Sequence, residues 1–315
     1  MLGSALTKWL VHHNCPVVKL VRRPVKDKVC EVFWDPIKKE IDSSKLIDVD
    51  VVIHLAGENV ASGLWTSKKK KSIMDSRVKS TEFLAEMISK MSVKPKLLIT
   101  ASGVNIYGYN DSEDEAFSEE SPENGKDYLS QVVRKWEGAA QPVKDLGIRT
   151  CHIRLGAVLS PNGGLIKKTL PIFKFGVGGK LGSGKQMMAW VDLDDAVGAV
   201  WQCMQNDSLE GPVNVVAPEA ISNKEFTKAY SKAVGMPNFI PAPKFILSNF
   251  LGEMAECLML SSIKCTPGKL LESGYEFKYP TIRESLNHQL DSSVPEEVVK
   301  ASPEEGQETA EDEKK

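Results

Sequence analysis

The chain has 315 residues, 42% of them hydrophobic and 26% charged, with a formal net charge of −2. This is the composition of a globular protein with ample core, and the near-neutral balance gives no general electrostatic pull toward nucleic acid or a membrane. No apolar run approaches the roughly 20 residues that span a bilayer, no signal peptide is visible, and six cysteines without paired spacing suit a reducing, cytoplasmic compartment.

Taken in chain order, Met1 to Val11 reads as an amphipathic helix, with Leu2, Leu6, Trp9 and Leu10 at helical spacing. A strand Val17–Val21 follows, ending in Arg22-Arg23-Pro24. Helix then strand is the second half of a βαβ unit. The first strand and the first two glycines of G-x-x-G-x-x-G do not precede it, and Gly3 stands where the third glycine belongs. The start therefore reads as that of a shortened form. The expected sheet lacks a central strand, which leaves Val17–Val21 and Val51–Ile53 without the partner between them.

Val49 to Gly57 reads as a short buried strand ending at a glycine, followed by a long helix from about Ser67 to Met91 whose Lys68–Lys71 run is a solvated face. Pro95–Ser102 is the next strand, and an acidic loop from Asp111 to Glu123 leads into a helix from about Tyr128 to Val143. Arg149–Leu155 is another strand. This alternation marks an α/β fold with a doubly wound parallel sheet. A glycine-rich stretch from Gly176 to Gly184 precedes Trp190–Asp195, then a strand Val213–Val216 and helical segments expected to cap a substrate cleft. The predicted organisation is a Rossmann-like region over residues 1–160, a substrate-cleft and C-terminal module over 161–290, and a disordered acidic tail over 291–315.

Chemistry begins at the end of the second predicted strand. A carboxylate there would accept the ribose hydroxyls of NAD, whereas an arginine accommodates the 2′-phosphate of NADP. Arg22 and Arg23 occupy the position, with no carboxylate before Asp27, which favours NADP. The bland alternative is that both are ordinary surface residues.

Val51–Asn59 (VVIHLAGEN), Ser76-Arg77, Ala101–Gly108 (ASGVNIYG), Trp136-Glu137, Arg154–Leu159, Gly179–Gln186 and Trp190–Asp195 occur in that order. Together they resemble the extended short-chain dehydrogenase/reductases, in particular the atypical "epimerase family" branch, family 39U. The resemblance runs from Gly3 to about residue 287. It implies a Rossmann fold, an NADP cofactor and an unidentified small-molecule substrate. It further implies that Leu55, Ala56 and Gly57 line the adenosine and ribose side, and that Arg22, with Val21 before it, holds the 2′-phosphate. Arg77 would reach a cofactor phosphate, Val158 would pack near the nicotinamide, and Gly3 would touch the pyrophosphate in a form that carries the preceding glycine turn. Ser72 falls where relatives of the branch carry a contacting glutamate.

The usual catalytic pair of such enzymes is Tyr-x-x-x-Lys, the lysine lowering the pKa of a tyrosine that is otherwise near 10. Here Tyr128 lies near the expected place, but Val132 stands four residues on. Lys135 is seven residues away, about 10 Å along a helix axis at a rise of about 1.5 Å per residue. The usual serine position falls on Gly103, with Ser102 one residue off. Tyr107 is either a residue protruding into the site or a packed aromatic. The sequence thus supports an NADP-dependent oxidoreductase using Tyr128, Ser102 or Tyr107, a non-catalytic NADP-binding or sensing protein, or a shortened product with impaired cofactor binding.

Two other motifs read as structural. Gly179-x-x-x-x-Gly184-Lys185 approaches a P-loop, but Gln186 lacks the hydroxyl that ligates Mg²⁺. Asp194 and Asp195 read as helix-start aspartates. The five histidines form no metal-ligand pattern.

Overall fold

In the computed structural model, which describes residues 1–42, 46–109 and 115–291, helix α1 spans Leu2–His12 and turns Leu2, Leu6 and Leu10 inward. They pack against Ala196, Val197 and Val200 of a later helix. Strand β1 is Lys19–Val21, shorter than predicted at its start. It pairs in parallel with β2 (Glu31–Asp35), on which β3 (Glu40–Ile41) folds back antiparallel. These last two strands escaped the sequence reading, because Pro36 interrupts a segment too short to show a period.

β4 (Val51–His54) leads to α2 (Ser67–Lys90), which starts where predicted because the Thr66 hydroxyl accepts the Lys69 N–H. β5 (Leu97–Gly103) runs into a 3-10 turn at Val104–Tyr107. The predicted helix Tyr128–Val143 is two helices, α3 (Tyr128–Gly138) and α4 (Gln141–Lys144). Pro142 divides them, since it offers no N–H and its ring would clash with the carbonyl four residues back. β6 (Arg149–Leu155), β7 (Ala157–Ser160) and α5 (Gly164–Lys174) follow.

Then come β8 (Met187–Met188), β9 (Trp190–Asp192) and α6 (Leu193–Gln205), capped by the Asp192 carboxylate. Asp194 and Asp195 lie in its first turn, as predicted. β10 (Gly211–Val215), β11 (Ile221–Ser222) and α7 (Asn223–Ala233) complete the central part. The C-terminal helices are α8 (Lys244–Leu251), α9 (Glu253–Ala255), α10 (Gly268–Glu272) and α11 (Ile282–Leu290), with a π-helical turn at Glu256–Leu260. The predicted acidic tail, and residues 111–114 of the predicted acidic loop, lie outside the described residues.

The parallel sheet stands in two pieces. One has the order β4-β5-β6-β10, all parallel, and the other is β1-β2-β3. Among the described residues, β1 and β4 each have a ladder partner on one side alone. The break falls where the sequence reading expects a strand between Val17–Val21 and Val51–Ile53. Side chains remain in step across it: Val17, Val51 and Ile53 join the cluster beneath α1 and α6, while Leu20 and Val52 join the one beneath α2. β5 is buried along Leu97–Ser102, but Val51, Val52 and Ile53 of β4 are half-exposed. That difference is the mark of an uncovered edge.

Candidate functional site

The first residues of α1 and the loop after β4 come together on the expected cofactor side. A Cβ on Gly3 would stand 3.9 Å from Leu55 Cδ1, and one on Gly163 would strike the Met1 side chain. Gly164 in turn lies against the Val158 carbonyl. No side chain caps the α1 N-terminus, so its first N–H groups keep their partial positive charge.

At the end of β1, beyond Val21, the two arginines differ. Arg23 is committed: its Nη1 and Nη2 donate to Glu31 Oε2 at 2.9 Å and Oε1 at 2.6 Å. Those bonds, together with the Lys26 N–H, hold the Glu31 carboxyl down at about 2. Arg22 is exposed and forms no salt bridge or hydrogen bond among the described residues, although its charge is felt by Glu58, just past Gly57.

Arg77 reaches from α2 to that loop. Its guanidinium packs flat on Gly57, where a Cβ would lie 3.0 Å from Cζ. Nη1 donates to the carbonyls of Glu58 at 3.0 Å and Ile73 at 3.2 Å, and Cζ sits 5.0 Å from the Trp136 ring. It forms no salt bridge among the described residues, and burial lowers its pKa to about 10. Glu58, which would be its nearest anion, is taken by Lys69. Burial, with the Arg77 charge behind it, pushes His54 down to about 4. Ser72 is exposed on α2 and is not brought to this group.

The three catalytic candidates divide. Ser102 and Tyr107 belong to a buried network around Arg154, whose side chain is 1% exposed. Arg154 Nε and Nη2 each meet a Glu137 carboxylate oxygen at 2.9 Å. Nη1 donates to the Tyr107 hydroxyl at 3.0 Å, and Nη2 also contacts Glu123. Ser102 Oγ donates to Glu137 Oε1 at 2.5 Å, and Tyr107 Oη donates to Asn214 Oδ1 at 2.7 Å. Burial alone would raise Glu137, but the Arg154 bonds outweigh it and hold the carboxyl low. Tyr107 stacks on Phe117, and burial raises its pKa to about 12. Of the two readings of Tyr107, the interior packed aromatic is the observed one.

Tyr128 stands apart at the first turn of α3. Its hydroxyl donates to the Lys70 carbonyl at 2.5 Å and its ring meets Trp65 edge-on. Burial raises its pKa, and the Arg77 charge acts in the opposite direction. Val132, in the place of the lysine, is 1% exposed and packed in the core. Glu137, Arg154 and Asn214 were not singled out as site residues by sequence reasoning. The available signals were an arginine between the apolar Ile153 and Leu155 of a strand and a glutamate after a tryptophan.

The C-terminal module docks on three aspartates at the start of α6. Asp192 accepts from Ser285 Oγ at 2.6 Å and Gln289 Nε2 at 3.0 Å, and His288 Nε2 meets Asp194 Oδ2 at 2.9 Å. Asp195 accepts from the backbone N–H groups of Lys278 and Tyr279. Ligand atoms of Asp192, Asp194 and His288 lie within 4.8 Å of one another, a grouping hidden by the 94 residues that separate His288 from Asp194. In the Gly179–Lys185 loop, Gly179 lies against the Ile240 carbonyl so closely that no Cβ fits. No helix among the described residues is long and apolar enough to cross a membrane.

Comparison with known proteins gives two family matches. The NAD dependent epimerase/dehydratase family matches residues 1–217, and a domain of unknown function, DUF1731, matches residues 242–289. The epimerase family protein YfhF of Bacillus subtilis is 36% identical over 289 residues, 91% of this chain and 93% of that one. The human epimerase family protein SDR39U1 is 31% identical over 287 residues, 90% and 94% of the two chains. The crystal structure of human SDR39U1 (isoform 2) with NADPH superposes with a TM-score of 0.84 at 29% identity, covering 93% of this chain and 96% of that one.

Proposed function

Because the chain belongs to the NAD dependent epimerase/dehydratase family, we propose that it is an NADP(H)-binding oxidoreductase-type protein whose Tyr-x-x-x-Lys pair is not intact. The observation that carries the choice of NADP is the division of labour after β1. Arg23 is bound to Glu31, while Arg22, with no partner among the described residues, offers its donors to a 2′-phosphate. The NADPH in the human SDR39U1 crystal structure supports the same cofactor.

The residues present suit a dinucleotide. Arg77 is a largely buried cation without a salt bridge among the described residues, lying on a glycine, and a buried cation is costly unless an anion joins it. In this reading Arg22 holds the 2′-phosphate, Arg77 and the uncapped α1 N-terminus near Gly3 face the pyrophosphate, Leu55 and Ala56 receive the adenosine, and Val158 packs by the nicotinamide. When bound, the cofactor supplies or takes a hydride. The six free cysteines support a reducing, cytoplasmic setting.

A second reading, a non-catalytic NADP-binding protein, is favoured by Val132. A buried valine stands where the pair needs a lysine, and Ser102 and Tyr107 spend their hydroxyls inside the Arg154 network. The deciding experiment is a titration of the purified chain with NADPH and with NADH, followed by cofactor fluorescence and thermal stability. Selective NADPH binding supports the proposal, and binding of neither defeats it. NADPH-dependent turnover of any carbonyl compound would then separate the oxidoreductase from the binder.

A further inference from the structure

We propose that the surface formed by the end of α5, the segment 236–240 and α8 is a docking face for an anionic lipid bilayer. Helix α8 is inverted relative to an ordinary surface helix: no residue of it is buried. Ile246 and Phe250 lie four residues apart on one face of it and Phe245 adjoins Ile246, and the two phenylalanines are 66% and 76% exposed. Phe175, at the C-terminus of α5, is 82% exposed, and Phe239 is 83% exposed.

These positions form one surface, because the two segments run side by side. A Cβ on Gly176 would stand 3.5 Å from Pro237, Gly179 lies on the Ile240 carbonyl, and Lys180 and Gly182 exchange backbone hydrogen bonds with Ala242. Singly exposed apolar side chains are ordinary, but four exposed phenylalanines on adjoining segments mark a site that meets something apolar.

Charge identifies the partner. Residues 164–185 and 223–250 contain nine lysines and one carboxylate, Glu225. The chain's overall charge of −2 hides this, because most acidic residues lie elsewhere; Glu256, just after α8, pairs with Lys244. Lys174, Lys185 and Lys224 are exposed and bound to no carboxylate among the described residues. Apolar side chains at the centre with ammonium groups around them match the two layers of an anionic membrane surface. The phenyl rings enter the acyl boundary while the lysines meet phosphate and carboxylate headgroups. A duplex nucleic acid would use the lysines but leave the phenylalanines in water, and a second copy of the chain would set lysine against lysine.

The test is vesicle flotation of the full chain with phosphatidylcholine alone and with three parts phosphatidylcholine to one of phosphatidylserine. The expected result is retention on the anionic vesicles, weakened by salt, with little on phosphatidylcholine alone. F245S/F250S should lower that retention about tenfold or more with an unchanged melting temperature, since both side chains are already exposed. K174E/K224E should lower it and flatten its salt dependence. Absence from anionic vesicles, or equal retention of F245S/F250S, overturns the proposal. So does a dimer dissolved by the same serine substitutions, or binding to single-stranded DNA that competes off the vesicles and ignores those substitutions.

Discussion

Arg154 and Glu137 meet through two hydrogen bonds of 2.9 Å each, with the arginine side chain 1% exposed. Removing Glu137 leaves the buried Arg154 with only the exposed Glu123 as counter-ion, and breaking such a buried pair costs up to about 3–5 kcal/mol. Glu137→Ala is therefore expected to destabilise the protein by that amount in chemical denaturation. Glu137→Gln keeps acceptors for Ser102 and Arg154 and should lose less. If both variants unfold like the parent, the network is not a structural one.

Arg22 and Arg23 should separate cleanly by mutation. Arg22→Ala is expected to weaken NADPH binding about 10- to 100-fold, the worth of hydrogen bonds to a charged group, while NADH binding and thermal stability hold. Arg23→Ala should instead lower stability and leave the NADPH-to-NADH ratio near that of the parent. The sign with pH follows from Glu31, whose folded pKa of about 2 lies below its ordinary 4.5. Its contribution is present above pH 4.5 and is lost as pH falls toward 2, so the parent should outlast Arg23→Ala at pH 6 and the two should converge near pH 2.

The contact between α11 and α6 should loosen as pH rises. Burial raises Asp192 to about 6, and the hydrogen bond from His288 to Asp194 raises the histidine above 6.5. Both folded values exceed the unfolded ones, so both contributions are full at low pH. Asp192's is lost between about pH 4 and 6, and the histidine's as pH passes above 6.5. The protection factors of α11, corrected for the base-catalysed rise in intrinsic exchange, should fall between pH 6 and 8, and His288→Ala should remove that fall. An α11 whose protection is flat over this range would contradict the assignment.

Restoring a lysine at Val132 should fail as a rescue. The position is 1% exposed, so Val132→Lys is expected to cost about 3 kcal/mol or more. Tyr128→Phe loses the bond to the Lys70 carbonyl and should cost about 1 kcal/mol, with NADPH affinity unchanged. A well-folded Val132→Lys protein would show that α3 has room its packing does not suggest.

The open edges of β1 and β4 should be visible in exchange. The amides of Val51–Ile53 that face away from β5 are expected to exchange at least about tenfold faster than those of Leu97–Ala101. Uniform protection across β4 and β5 would mean that the edge is covered.

What was legible in the sequence is what local chemistry dictates. The stripe of Leu2, Leu6 and Leu10 and the strand Arg149–Leu155 needed no partner to be recognised, because a helix or strand shows its buried face in its own spacing. The two arginines at the end of β1 were likewise legible as a pair. Nothing local said which of them is free, since that depends on Glu31, which reaches back from the neighbouring strand.

Tertiary structure decided the rest, because those contacts join residues far apart in the chain. Ser102, Tyr107, Glu137, Arg154 and Asn214 come from four separate segments and become one network only when β5, β6 and β10 lie side by side and α3 packs on them. His288 finds Asp194 across 94 residues. The sequence by itself determined the α/β class and the valine at position 132 where the pair would need a lysine. Only the packed structure decided that Tyr107 faces inward, that Arg22 is free and that α8 turns its phenylalanines outward. Periodicity reports that a face is apolar, whereas which side of the molecule it meets depends on neighbours that no local spacing records.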